Sequence, residues 1–175
     1  MTVYFQKMAE NNAWANTTLY EAVCGMSEAA VWAPRPGFFG SIGRTLNHIY
    51  EVDLYYLDAL EAGGKGRSVY DRADDRDMAA LATLQAAEDQ RFIEIALAVT
   101  PETCTKVRTT ERKNTTTEER FDWLFLHLIQ HQIHHRGQVH AMLSDAGVEP
   151  PQLDDFYLEF GRVEDARKYW DAPNG

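Results

Sequence analysis

Residues 116–147 read TTEERFDWLFLHLIQHQIHHRGQVHAMLSDAG. Phe121, Leu124, Leu128, Val139 and Met142 recur at helical spacing. Thr116 and Glu119 have the spacing of a capping box, and Pro150-Pro151 blocks continuation past Gly147. The pattern therefore predicts one long helix over 116–147. Such a helix cannot bury its own apolar stripe and needs partners. Three other segments supply them. One runs from Val3 to Gly25, with Met8, Ala15, Leu19, Ala22 and Val23 on a stripe. A second starts at Ser41 and runs to Glu61, where Gly63, Gly64 and Gly66 end it. A third starts near Asp74, turns Leu81, Leu84, Phe92, Ile95 and Val99 to a core, and closes at Thr100-Pro101. Pro34, Pro36 and Gly37 mark a loop, the threonine-rich residues 102–115 a loop or short extended piece, and residues 162–170 a short fifth helix. With no strong strand pattern, the chain reads as all-α: a four-helix bundle in a single domain over 1–175, with a short C-terminal extension.

Composition narrows the function. The chain has 175 residues, 45% of them hydrophobic, enough for a sizeable core. Seventeen basic and 27 acidic side chains give a net charge of −10. That balance argues against sequence-independent nucleic-acid binding and against docking on an anionic membrane. Cys24 and Cys104 fit no Cys-x-x-Cys spacing; they allow one disulfide, but reduced thiols in a cytoplasmic protein are the plainer expectation. The N-terminal MTVYFQKMAENNAWAN is no signal peptide, and no segment is long enough to span a bilayer. There is no nucleophile elbow, Walker loop or dinucleotide fingerprint.

Five of the six histidines lie between His127 and His140. Helical geometry separates them. With His131 at zero and about 100° per residue, the apolar stripe centres near roughly +60°. His131 and His135 (roughly +40°) lie within it, His127 and His134 flank it, and His140 is near the back. The inward pair sits on one line about 6 Å apart. His48 shares its side of the second helix with Thr45, Ile49, Val52 and Tyr56 and also faces the interior. Three inward imidazoles from two helices can converge on one cation, leaving positions for water or substrate. Neutral imidazole suits zinc, nickel, copper or iron(II). The competing reading is three core histidines satisfied by hydrogen bonds. A His-x-x-x-His pair alone is weakly specific, and this one lacks the glutamate of a zincin helix.

Three motifs extend the picture. Asn12, Trp14, Asn16 and Leu19 form N-x-W-x-N-x-x-L. The stretch FFGSIGRTLNHIYEVDLYYLDAL holds a small-residue turn, Leu46 and His48, then Asp53 five residues on. The pair His131 and His135 ends just before Arg136-Gly137-Gln138. In these motifs, over nearly its whole length, the chain resembles the DinB/YfiT-like proteins, bacterial four-helix bundles named for DNA-damage inducibility. The resemblance implies His48, His131 and His135 as ligands of a divalent metal, often nickel or zinc, and a homodimer. It implies thiol-dependent transfer or isomerisation of small electrophilic compounds, with a low-molecular-weight thiol as a second cofactor. A hydrolase acting on a small-molecule substrate fits the same site. The alternative is a non-catalytic metal-binding stress-response protein.

Several other residues have two readings each. Asn12 and Asn16 either orient a ligand histidine or metal-bound water, or tie two helices together as buried amides. Asp53 either anchors a histidine ring or forms an ion pair with Arg136. Glu88 is the best carboxylate on the third helix for a general base or fourth ligand, or else a glutamate reaching solvent. Tyr55 and Tyr56 line a pocket or pack in the core. Leu126, Ile129 and Ile133 form a second apolar stripe, to be covered by Phe156, Tyr157 and Phe160 or by a partner subunit.

Overall fold

Six α-helices, two short 3-10 helices and one β-hairpin make up the regular structure of residues 2–170, the part that this computed structural model describes. In chain order the α-helices and strands are α1 (Thr2–Cys24), α2 (Glu28–Trp32), α3 (Ile42–Glu61), α4 (Met78–Leu97), α5 (Pro101–Cys104), β1 (Val107–Glu111), β2 (Thr116–Arg120) and α6 (Phe121–Asp145). The four long helices are those expected, and the fold is all-α apart from the hairpin. Among the described residues no helix is long and apolar enough to cross a membrane. Ser41 is extended and its hydroxyl accepts the Arg44 N–H at 3.3 Å, so α3 starts where its sequence predicts. Its end differs. Ala62, not a glycine, takes the left-handed cap position at φ 59°. Gly63 follows because a Cβ there would lie 2.2 Å from Asp58, whose carboxylate accepts the Lys65 N–H at 2.8 Å.

The capping-box expectation at Thr116 is corrected. Residues 116–120 pair antiparallel with 107–111, and helix begins only at Phe121. Thr109, Thr110, Thr116 and Thr117 are β-branched and prefer a pleated surface to a helix interior. Docking decides the matter: Tyr55 donates its hydroxyl to the Glu111 carbonyl, and Arg108 Nε donates to the Leu60 carbonyl at 2.7 Å. Other boundaries shift less. The helix expected near Asp74 starts after Asp77, whose carboxylate caps Ala79 and Ala80. Thr100 caps the short α5 after α4 has ended at Leu97. The fifth helix is a 3-10 turn over Glu164–Tyr169. Leu84, expected in the core, is 40% exposed.

Burial shows how the helices run. One apolar layer joins Phe5, Leu57, Leu60, Phe92, Phe125 and Leu128. A second joins Leu19, Ile42, Leu46, Leu81, Val139 and Met142. Reading each helix from one layer to the other sets α1 and α6 parallel, with α3 and α4 antiparallel to both. The chain must therefore return along the full length of α3 before α4 begins. Asn47 holds that return: its Oδ1 accepts the Asp75 N–H at 2.7 Å and its Nδ2 donates to the Asp75 carbonyl at 2.9 Å. In the finished bundle α1 packs on α4 and α6, and α3 on the same two.

The C-terminal segment answers only part of the coverage question. Phe156 packs on Trp14, on the outer side of α1, and both are buried. Ile129, placed on the second stripe, belongs to the core instead. Tyr157 and Leu153 line a cleft together with Ile133, while Leu126 and Phe160 remain exposed. Cys24 and Cys104 are both free thiols.

Candidate metal centre

His48 comes from the middle of α3 and His131 and His135 from the middle of α6, helices that pack side by side. One ring nitrogen from each lies within 4.8 Å of the other two. His48 Nε2 and His131 Nε2 are 3.0 Å apart. The three histidines placed inward by helical phase are the three that meet. His127 and His134 are exposed, and His140 bonds the Pro151 carbonyl.

The electrostatics favour neutral ligands. Burial pushes His48 down to about 4, with the neighbouring His135 adding to the effect. Burial, then His135 and His48, pushes His131 down to about 3. His135 is lowered by burial, against the pull of its Gln138 bond. Gln138 Oε1 lies 3.0 Å from His135 Nδ1, so Nδ1 carries the proton and Nε2 is left as a lone pair for the site. No carboxylate belongs to the group. His131 Nδ1 is buried without a partner among the described residues. Three neutral nitrogens crowded into one small volume fit a divalent cation, which would accept a lone pair from each, although at 3.0 Å the His48 and His131 nitrogens also suit one shared N–H···N bond.

Phe39 closes one side. Its ring stacks on His48 with centroids 4.1 Å apart and lies 5.5 Å from His135. The preceding Phe38 meets it edge-on and is 86% exposed. The pair sits between Gly37 (φ 145°) and Gly40 (φ 75°) in the loop before α3. Arg35 steadies that loop through Asp145 at 2.7 Å.

Asn12, Asn16 and Asp53 lie elsewhere, in a buried polar layer between the two apolar layers. Arg136 donates to Asn12 Oδ1, to Asn16 Oδ1 at 3.0 Å and to Gln132 Oε1 at 3.1 Å. The amide nitrogens on the far side of these groups serve carboxylates: Asn12 and Asn16 donate to Asp89 at 3.0 and 2.9 Å, and Gln132 donates to Asp53. Gln85 joins the two acids, donating to Asp53 at 2.6 Å and to Asp89 at 3.2 Å. Asp53 therefore reaches Arg136 through the Gln132 amide. Glu88 stands apart from the histidines, paired with Arg91 at 2.8 Å, which also holds Glu61. Tyr56 packs on His127, and Tyr55 on Tyr70. Sequence reading missed Gln85, Asp89 and Gln132 in this layer, and Phe39 and Gln138 at the histidines. Gln138 had a signal, lying three residues after His135 on the same helix face.

The layer makes stability depend on pH. Burial pushes the Asp53 carboxyl up to about 7, against the pull of Gln85, Gln132 and Arg136. The folded protein then keeps a proton that the unfolded chain releases near pH ~4. This group's contribution is complete below that pH and is lost as pH rises towards 7, at up to ~1.4 kcal/mol per pH unit. Urea midpoints of the wild type should fall across that window relative to those of Asp53→Asn. Parallel pH profiles would remove the assignment.

These features define a class: a four-helix bundle with three histidines from two adjacent helices gathered at one point. The DinB family model matches residues 1–167, and the chain belongs to the DinB family. The fold is similar to that of a crystal structure of a DinB-like protein from Bacillus cereus, with a TM-score of 0.64 and 17% identity over 81% of this chain and 89% of that one. No curated protein matches the chain.

Proposed function

We propose that this protein binds one divalent metal ion through His48, His131 and His135 and uses it on a small electrophilic substrate. The observation that supports the reading is the convergence of three ring nitrogens within 4.8 Å on a site without carboxylates. A bound ion would supply Lewis acidity, lowering the pKa of a coordinated water or low-molecular-weight thiol. The chain's own part is positioning: Gln138 fixes the His135 tautomer, and Phe39 shields one face of His48 from water. Nickel and zinc both suit three imidazoles. A thiol-dependent transferase and a hydrolase are the two reactions that this site fits. A second reading is a binding-only protein, favoured by the Phe39 ring stacked over His48. Elemental analysis of protein purified without a metal column should find about one divalent ion per chain, as expected of a single three-ligand site. Replacing all three histidines with alanine should remove it, and unchanged metal content would end the proposal.

A further inference from the structure

We propose that Pro36-Gly37-Phe38-Phe39 is a flap whose opening admits small ligands to the three-histidine site. Its role rests on the metal reading above; its motion does not.

The segment is pinned at its base and free at its tip. The Arg35 N–H donates to the Gly40 carbonyl at 2.8 Å and closes the loop. The Arg35 guanidinium ties that base to Asp145 of α6 at 2.7 Å and to the Ala30 carbonyl of α2 at 3.3 Å. Ser41, on the other side, caps α3. Between these anchors, residues 36–39 make no backbone hydrogen bond among the described residues. Pro36, Gly37 and Phe38 are exposed. A segment with few buried contacts and no hydrogen bonds opens far more often than the helices around it.

Phe39 is the part that closes. Its half-buried ring lies 4.1 Å from that of His48 and 5.5 Å from that of His135, so it covers two of the three rings. Nothing polar holds it there, and an aromatic pair shifts such an equilibrium by only about tenfold. Gly40 is the hinge. Its φ of 75° is left-handed, where any residue with a Cβ is strained. A Cβ there would meet nothing within 4 Å, so glycine serves the backbone angle and not the space. Glycine also turns to negative φ without penalty, which lets the closed loop reopen.

Carbethoxylation of His48 by diethyl pyrocarbonate, followed by peptide mass spectrometry on metal-free protein, reads the opening without a bound ion. Exposed His127 is the internal reference. Phe39→Ala removes the cover and should speed the reaction at His48 about tenfold. Gly40→Ala keeps the Phe39 ring and strains the closed loop, and should speed it about five- to tenfold. Zinc release from loaded protein to a chelator, followed by stopped flow, should quicken in both variants. Circular dichroism melts confirm that each is folded. A wild-type rate at His48 in folded Gly40→Ala would make Phe39 a fixed wall and end the proposal, as would unchanged zinc release in either variant. Faster modification in both variants of a protein that holds no zinc would keep the flap and end the metal reading instead.

Discussion

Replacing Arg136 with methionine is expected to destabilise the protein by about 3–5 kcal/mol, the cost of leaving a buried charge network without its counter-ion. Arg136 is 5% exposed and its guanidinium bonds to Asn12, Asn16 and Gln132. Burial pulls it down to about 10, against Asp89 and Asp53, and it stays charged at neutral pH. Without it, three amide oxygens lose their donor, and Asp53 and Asp89 lose the cation that draws their burial-raised carboxyls back down. For a chain of this size the melting temperature should drop by about 10 °C. Adding Asp89→Asn to the variant should restore part of the loss, because one unbalanced carboxylate is then gone. A loss below about 1 kcal/mol would show that amide dipoles alone carry the layer.

Single substitutions at the centre carry the second large effect. His131→Ala removes one of three nitrogens from the site and should weaken metal binding by more than about 100-fold, exceeding the loss typical of a supporting residue. Gln138→Leu leaves all three nitrogens in place but frees the His135 ring, and should cost about 10–100-fold. His127→Ala should leave affinity unchanged, since it is exposed and outside the group, and His134→Ala should cost less than Gln138→Leu, since His134 touches the site only through the Gln138 amide at 3.0 Å. Competition with a chromophoric chelator measures all four. Equal losses at His127 and His131 would mean that the metal rides on the surface of α6.

The two variants probe features of unequal legibility. His48, His131 and His135 were readable because helical phase depends only on residue spacing. Asn12, Asn16 and Asp53 were readable as inward polar groups, but not as members of one layer. A buried amide looks the same in sequence whether it serves a histidine or an aspartate. Asp89 and Gln85 carry no local signal of burial, since a carboxylate and an amide on a helix are usually solvated. Residues 116–120 failed for another reason. Thr116 and Glu119 satisfy a local helix-start pattern, yet their backbone pairs with residues 107–111. Cross-strand pairing is non-local, and a local motif carries no information about it.

The sequence by itself determined four amphipathic helices, the inward set of histidines and the family to which they belong. All three follow from periodicity and from motifs short enough to read along one strand of text. Tertiary structure alone decided which helices touch, that the chain returns along α3 before α4, and that seven polar side chains from four helices close into one layer. It also placed Phe39 over His48 and left the Tyr20 hydroxyl and Gln85 Oε1 without hydrogen-bond partners among the described residues. Those outcomes rest on distances between residues far apart in the chain, and only the packed bundle sets them.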